Sequence, residues 1–326
     1  MLRLPRLQRP WRRCEPDVGC GMNNRPMLSA RVMIPFAVAT IIWGSTWLVI
    51  RGQLGVVPPT WSVCYRFLIG AAAMSVYALM TRSPLKLDRA GHLFAALMGF
   101  AQFFLNFNFV YRAEGLITSG LVAVVFALLI VPNAVFGRVF LRHPVSGRFL
   151  FGSLIALIGV GLLILNEARA DTATGHATLM GVGLTLLGVL SASAANVMQG
   201  TARARVMPMA GMLAWGMLWG ALMNGVVALA TVGAPVIELT PVYIGGTIYL
   251  GVFASAVAFT CYFGVIRAIG PARAAYSSVI TPVLAMLLST IFEHYHWTLL
   301  AGAGGIVAFA GLIIALSARK PVVKSA

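Results

Sequence analysis

Amide side chains at helical spacing are the groups in this chain best suited to hold a small molecule. Gln102 and Asn106 stand four residues apart, and Asn196 and Gln199 stand three apart, so each pair lies on one face of a helix. An amide donates and accepts hydrogen bonds, and it can hold an amino or a carboxyl group without a fixed charge. We therefore predict that these four residues line a substrate site. Hydrogen bonding between helices is the alternative interpretation.

A hydroxyl and two aromatic rings extend this predicted site. Thr46 precedes Asn196 by 150 positions, a spacing that recurs along the chain. Tyr276 begins a polar face with the two serines that follow it, and Trp43 lies one turn before Trp47. An aromatic-lined pocket suits an apolar or amphipathic substrate, including aromatic amino acids. We predict that Trp43, Thr46 and Tyr276 bind substrate, whereas packing is the favoured role for Trp47.

Three charged residues are candidates for gating or coupling. Arg66 falls about six residues into an apolar run, where a long side chain can extend to water at the membrane interface. We favour that structural role over capture of an anionic substrate. Glu114 and Glu293 fall near the predicted outer surface. No Asp or Glu falls near the middle of an apolar run, so the simplest interpretation is a facilitator without a coupling ion.

The elements that position these residues are membrane spans. The chain is 60% hydrophobic and 10% charged, with a mean hydropathy of +0.89. A soluble domain carries roughly 25% charged residues, whereas a span needs about 20 mostly apolar residues. Ten such runs are predicted, at 33–51, 60–80, 91–111, 116–140, 147–166, 177–199, 209–231, 241–266, 272–292 and 297–317.

The basic residues indicate how the spans are oriented. Of the 24 Lys and Arg residues, 20 fall at one predicted face of the membrane and 3 at the other, with Arg66 inside a span. Cytoplasmic loops carry such an excess, so both termini are predicted to be cytoplasmic. The net charge of +16 reflects this topology rather than a nucleic-acid partner, because no basic patch has interleaved aromatic residues.

The second half of the chain repeats the first at a displacement of about 150 residues, as Pro132 and Pro282 or Gly120 and Gly270 show. Each half holds five spans, and an odd number inverts the second half relative to the first. The predicted fold is an all-α membrane protein of ten transmembrane helices in two inverted five-helix repeats. Its predicted parts are a basic leader (1–32), a first repeat (33–166), a second repeat (177–317) and a basic tail (318–326).

Short motifs resemble the EamA-domain family of the drug/metabolite transporter superfamily, in its bacterial ten-span exporter branch. The resemblance covers about residues 34–316 and rests on Trp43-Gly44-Ser45-Thr46, Arg66, Ser119-Gly120-Leu121 through Pro132, Gly270-Pro271-Ala272-Arg273, Thr281-Pro282 and Phe292-Glu293. The chain departs from the family pattern at His143, where a glutamate is common, although the repeat-equivalent Glu293 is kept. The resemblance implies the superfamily and the fold, but not the substrate.

These observations predict an exporter of amino acids or other small neutral or amphipathic metabolites, working by alternating access in the bacterial inner membrane. Carriers of phosphorylated sugars, nucleotide-sugars or drugs are the alternatives; phosphate carriers should show several intramembrane cations, and only Arg66 is available. A membrane enzyme is disfavoured because all five His residues fall in loops or at span ends. A channel or assembly subunit is also disfavoured. The expected partners are a small-molecule substrate and the bilayer, with no cofactor or metal. The sequence is compatible with a homodimer but does not require one.

Overall fold

The computed structural model describes residues 29–142, 145–170, 175–274, 277–294 and 297–316. These residues form long helices and no strand. The ten long helices of the described residues are α1 (Ala30–Arg51), α2 (Pro59–Met80), α3 (Arg89–Glu114), α4 (Ser119–Leu141), α5 (Gly147–Ala170), α6 (Gly175–Gln199), α7 (Met209–Thr231), α8 (Pro241–Ile269), α9 (Ser277–Phe292, after a short turn Pro271–Ala274) and α10 (Leu299–Leu316).

The lengths of these helices match the thickness of a bilayer. Helices α1 to α8 are long and apolar enough to cross a membrane, and α9 and α10 contain shorter apolar helices. The predicted all-α membrane fold with ten helices in two inverted repeats is confirmed. Helix α1 begins at Ala30, inside the predicted leader, because Ser29 has the extended backbone of a residue that precedes a helix.

The two repeats interlock instead of lying side by side. Helix α1 of the first repeat packs against α8 and α9 of the second, and α6 of the second repeat packs against α3 and α4 of the first. Helix α2 pairs with α7, and α5 pairs with α10. Each contact therefore has a counterpart with the roles of the repeats exchanged. Such an arrangement places the boundary between the repeats at the centre of the bundle.

Glycines let α5 and α10 meet backbone to backbone. A Cβ atom at Gly159 would lie 2.1 Å from the Ala308 nitrogen, and one at Gly311 would lie 2.2 Å from the Ala156 nitrogen. Small residues one turn apart allow this approach, and in a membrane it is van der Waals packing that holds such helices together. Gly152 and Ala156 stand one turn apart on α5, and both contact Gly311.

A second set of glycine contacts is repeated by the internal symmetry. A Cβ atom at Gly99 of α3 would lie 2.3 Å from the Gly216 carbonyl oxygen of α7. In the other half, a Cβ atom at Gly251 of α8 would lie 3.0 Å from the Arg66 carbonyl oxygen of α2. These contacts fix α3 and α8 against their neighbours at equivalent heights.

The stretches beginning at these glycine contacts are wound as π-helix, over Phe100–Asn106 in α3 and Tyr249–Val257 in α8. Such turns are rare in helices and are frequently found at functional sites. The two stretches lie about one repeat length apart, so each repeat carries a widened turn near the middle of its equivalent helix, α3 or α8. Gln102, Asn106 and Ser255 are positioned by these turns.

The close contact of α5 and α10 predicts a strong position dependence for bulky substitutions. Gly159→Leu should lower the free energy of unfolding by at least about 2 kcal/mol, because the added side chain must push the α10 backbone away. Gly161→Leu is the matched control, since Gly161 is exposed and a Cβ atom added there would have no atom within 4 Å. The control should stay within about 1 kcal/mol of the wild type. The measurement is the thermal unfolding midpoint in detergent, and equal midpoints would contradict the contact.

Candidate functional site

A cavity lies at the centre of the bundle, between the repeats. Its empty space amounts to about 730 Å³ when its opening is included. Helices α1 to α4 form its wall from the first repeat, and α6, α8 and α9 form its wall from the second. Its polar lining consists of Thr46, Arg66, Gln102, Asn106, Asn196, Ser277 and Thr281.

The structure brings together most of the residues predicted to bind substrate. The ones that line the cavity are Trp43, Thr46, Gln102, Asn106 and Asn196. Gln199 lies apart from it, at the end of α6, where its side-chain oxygen accepts a hydrogen bond of 3.3 Å from Arg267. Tyr276 lies outside the described residues, although the adjacent Ser277 lines the cavity.

The amides in the wall keep hydrogen-bonding capacity free. The side-chain oxygens of Gln102, Asn106 and Asn196 are buried and have no hydrogen-bond partner among the residues that the structure describes. The nitrogen of Asn196 donates a long bond of 3.5 Å to Asn133 Oδ1. Buried polar atoms are nearly always paired in folded proteins. Three unpaired amide oxygens in one cavity therefore indicate a place where a ligand can supply the partners.

Arg66 lies inside the bundle, and the favoured expectation that its side chain reaches water was wrong. Only 1% of the residue is exposed, and its Nε donates to Ser255 Oγ at 3.0 Å. Its guanidinium carbon lies 4.2 Å from the centre of the Phe107 ring, within cation–π range. Gly70, one turn along α2, approaches the Gly251 carbonyl of α8. This face of α2 is thus pressed against α8, and the arginine points inward.

Aromatic rings form the rest of the wall, and sequence analysis missed most of them. They are Trp47, Phe107, Phe126, Phe259 and Tyr262, in addition to the predicted Trp43. The Trp43 ring packs edge-on against the Tyr262 ring, with 4.8 Å between the ring centres. Its Nε1 donates a hydrogen bond of 3.1 Å to the Ala254 carbonyl in the π-helical turn of α8. Phe107 and Phe259 occupy nearly repeat-equivalent positions, which is the signal that the sequence offered for them.

One end of the bundle, called here the Arg51 end, is bridged by charged and hydroxyl groups from both repeats. Arg51 Nε of α1 lies 3.8 Å from Glu293 Oε1, which follows α9. The other oxygen of Glu293 accepts hydrogen bonds from Ser119 Oγ at 2.6 Å and from Ser289 Oγ at 2.5 Å. Glu293 thus contacts groups at the end of α9 and at the start of α4. The bridge ties α1 and α4 to α9.

Glu114 also lies at the Arg51 end, but deeper than expected. The sequence placed it near the outer surface, whereas the structure leaves the residue 0% exposed. Neither carboxylate oxygen has a hydrogen-bond partner among the described residues, although Arg51 Nη1 donates to the backbone carbonyl of Glu114. Glu114 is not part of the cavity wall.

The opposite end of the bundle is joined by a more exposed ion pair. Arg203 Nη2 lies 2.6 Å from Asp88 Oδ1, and the two side chains are 42% and 66% exposed. The Arg203 guanidinium holds the pKa of the Asp88 carboxyl below its usual range. Arg267 contacts the Met207 carbonyl at 3.0 Å, within its own repeat. In the described part of the chain, each end of the bundle thus carries one ion pair between the repeats, and the better buried pair is at the Arg51 end.

Comparison with known proteins relates this chain to a family of transporters. Residues 31–165 and 179–317 match the model of the EamA-like transporter family. Curated relatives include the protein PagO of Salmonella typhimurium, 24% identical over 82% of this chain and 87% of the relative. The uncharacterized inner membrane transporter YedA of Escherichia coli strain K12 is 29% identical, covering 87% of this chain and 91% of the relative.

Two further comparisons agree. The uncharacterized transporter YdfC of Bacillus subtilis is 25% identical over 87% of this chain and 90% of its own length. A solved crystal structure superimposes with a TM-score of 0.66 over 87% of this chain and 96% of that chain, at 18% identity, which shows a shared fold. The family match spans most of the chain and both repeats. The chain is therefore a multi-pass membrane protein that belongs to the EamA-like transporter family.

Proposed function

We propose that this transporter exports amino acids or other small neutral or amphipathic metabolites. The observation that carries the proposal is the central cavity, which is walled by helices of both repeats and combines free amide groups with aromatic rings. Small-molecule sites are concave and mostly apolar, with a few polar groups that orient the ligand. A site between two inverted repeats is also where a carrier can expose its substrate to either side in turn.

The chemistry of the wall favours a substrate with little net charge. Among the described residues that line the cavity, Arg66 is the one cationic side chain, and no Asp or Glu is present. Phosphorylated sugars and nucleotide-sugars carry two or more negative charges, which call for several cations. Hydrophobic drugs remain the stronger alternative, because the aromatic rings around Trp43 and Phe259 suit them too.

Alternating access would proceed by rocking the repeats about the cavity. The ion pairs at the two ends would open in turn: Arg51 with Glu293 at one, Asp88 with Arg203 at the other. Pro282 lies inside α9 and lines the cavity, where it permits the helix to bend. The bias of basic residues would place the Arg51 end outside and both termini in the cytoplasm of a bacterial cell. Glu114 and Glu293 are the candidates for coupling to protons.

An enzyme and a channel are the alternatives from other classes. The relatives YdfC and YedA are named transporters, which favours a carrier over an enzyme. The symmetric contacts between the repeats favour alternating access over a static pore. A channel would show flux that does not depend on substrate on the opposite side, whereas a carrier exchanges one substrate for another.

The test is counterflow in liposomes that contain the purified protein. Unlabelled substrate is loaded inside, and uptake of a labelled panel of amino acids, nucleosides and drugs is followed with and without a pH gradient. Uptake of neutral or aromatic amino acids that is indifferent to pH would support the facilitative exporter. Dependence on pH would assign coupling to the carboxylates at the Arg51 end. Uptake of drugs or nucleosides in place of amino acids would contradict the proposed substrate class.

Removal of the amides in the cavity should weaken transport. Asn106→Leu and Asn196→Leu should each lower the counterflow of amino-acid substrates about tenfold, since each loses a hydrogen bond to a polar ligand. Asn108→Leu is the control in the same helix, because Asn108 is buried outside the cavity and donates to Asn224 Oδ1 at 2.5 Å. The control should lower stability but keep the ranking of substrates. If both cavity variants transport every accepted substrate normally, the site is wrong.

Weakening the bridge at the Arg51 end should open the cavity there. Glu293→Gln removes the ion pair with Arg51. We expect this to shift the equilibrium toward the form that is open at the Arg51 end by about 1 kcal/mol, or roughly fivefold. The measurement is the rate at which a membrane-impermeant thiol reagent labels a cysteine at Ile50, which is buried in the cavity wall. The four native cysteines are replaced beforehand.

Asp88→Asn is the control for this gate. It removes the exposed pair with Arg203 at the opposite end, which should change the labelling of the Ile50 cysteine from the Arg51 side little. Equal labelling rates in Glu293→Gln and the parent protein would show that this bridge does not close the cavity. An equal increase in both variants would point to general loosening of the bundle.

A further inference from the structure

We propose that Arg66 binds a carboxylate of the transported substrate, so that the cargo is a small molecule with one carboxylate and an apolar or aromatic body. The inference rests on the proposed function, because it assigns the cavity to the substrate. It adds an anchoring residue and a required chemical group. The juxtaposition that carries it is a buried arginine with a free donor in the wall of a cavity that also holds free amides and aromatic rings.

The guanidinium of Arg66 is buried without a counter-ion. It is always protonated and has five N–H donors. Ser255 accepts from Nε, the hydroxyl of Tyr111 lies beside the guanidinium, and Nη1 has no hydrogen-bond partner in the described part of the chain. Among the described residues, no carboxylate lies within 4 Å of it. A buried charge is costly unless it is paired, and intramembrane cations mark substrate pathways.

Glu114 is the competing partner for this charge. It is buried and acts on Arg66 through space, but it forms no ion pair with it. It also stays outside the cavity wall, whereas Arg66 belongs to it. A ligand in the cavity can therefore reach the guanidinium without displacing Glu114.

The surroundings of Arg66 match a carboxylate in shape. A guanidinium presents parallel N–H groups that fit the two oxygens of a carboxylate. The Phe107 ring stacks near one face of the group and Ser255 fixes its Nε, so the fork is held in place. The amides of Gln102, Asn106 and Asn196 lie in the same wall and can accept from an ammonium or a hydroxyl of the ligand. The aromatic side of the cavity receives the apolar body.

The experiment compares two probes that differ in this group alone: 3-phenylpropionate and its neutral amide, 3-phenylpropanamide. Binding to the full-length purified protein is measured by tryptophan fluorescence, because Trp43 and Trp47 line the cavity. This reading does not require transport. The acid should bind roughly tenfold to a hundredfold more tightly than the amide, as expected for a charge-assisted hydrogen bond.

Variants then assign the preference to Arg66. Arg66→Gln should bind both probes equally, and Arg66→Lys should keep part of the preference, since it retains the charge without the fork. Arg112→Gln, which removes an exposed arginine of α3, should behave as wild type. If Arg66→Gln fails to fold, the lysine variant still separates charge from fork.

Three results would overturn the assignment: equal binding of acid and amide by the wild type, no binding of either probe, or an undiminished preference in Arg66→Gln. Each can be told apart from failure of the proposed function. Counterflow of neutral substrates with no preference for the acid would leave the exporter standing and remove the anchor. A clear preference for the acid without counterflow of any substrate would leave the anchor standing and remove the exporter.

Discussion

A charged guanidinium held in the middle of a membrane bundle constrains everything around it. Such a group must be surrounded by hydrogen-bond acceptors, aromatic faces or a ligand, because lipid offers none of these. The bundle meets this requirement with Ser255 from a π-helical turn of α8 and the Phe107 ring of α3. Both come from helices that close glycine contacts hold at equivalent heights in the two repeats. The contacts that pack the helices are therefore also the contacts that hold the partners of Arg66 in place.

The inverted repeat explains why the cavity exists. Interlocked repeats bring α1 to α4 from one half and α6, α8 and α9 from the other around a common space, while α5 and α10 pair with each other outside it. The two halves are alike in helix contacts but unlike in side chains: Arg66 has no cationic counterpart at Gly216, which instead packs against α3. The repeats thus share their helix contacts, whereas the cationic side chain of the cavity comes from the first repeat.

Sequence patterns predicted the architecture better than the depth of individual side chains. Apolar runs, the 150-residue repeat and the amide spacings placed ten helices and brought Thr46, Asn106 and Asn196 to one cavity. The position of Arg66 was misjudged, because distance along a helix does not show whether its face meets lipid or a neighbouring helix. The π-helical turns and the aromatic wall were missed for a related reason: they arise from contacts between helices, which hydropathy does not record.

The central claim is that the cavity between the repeats is the transport site and is reached from both sides. The most direct measurement is thiol labelling of a cysteine placed at Thr46, which lines the cavity and is 5% exposed, in a protein without its native cysteines. An impermeant reagent is applied separately to each face of the membrane, with and without transported substrate. If the cavity is the transport site, the reagent labels the cysteine from both faces, and substrate protects it on each. Labelling from one face alone, or no protection by substrate, would contradict it.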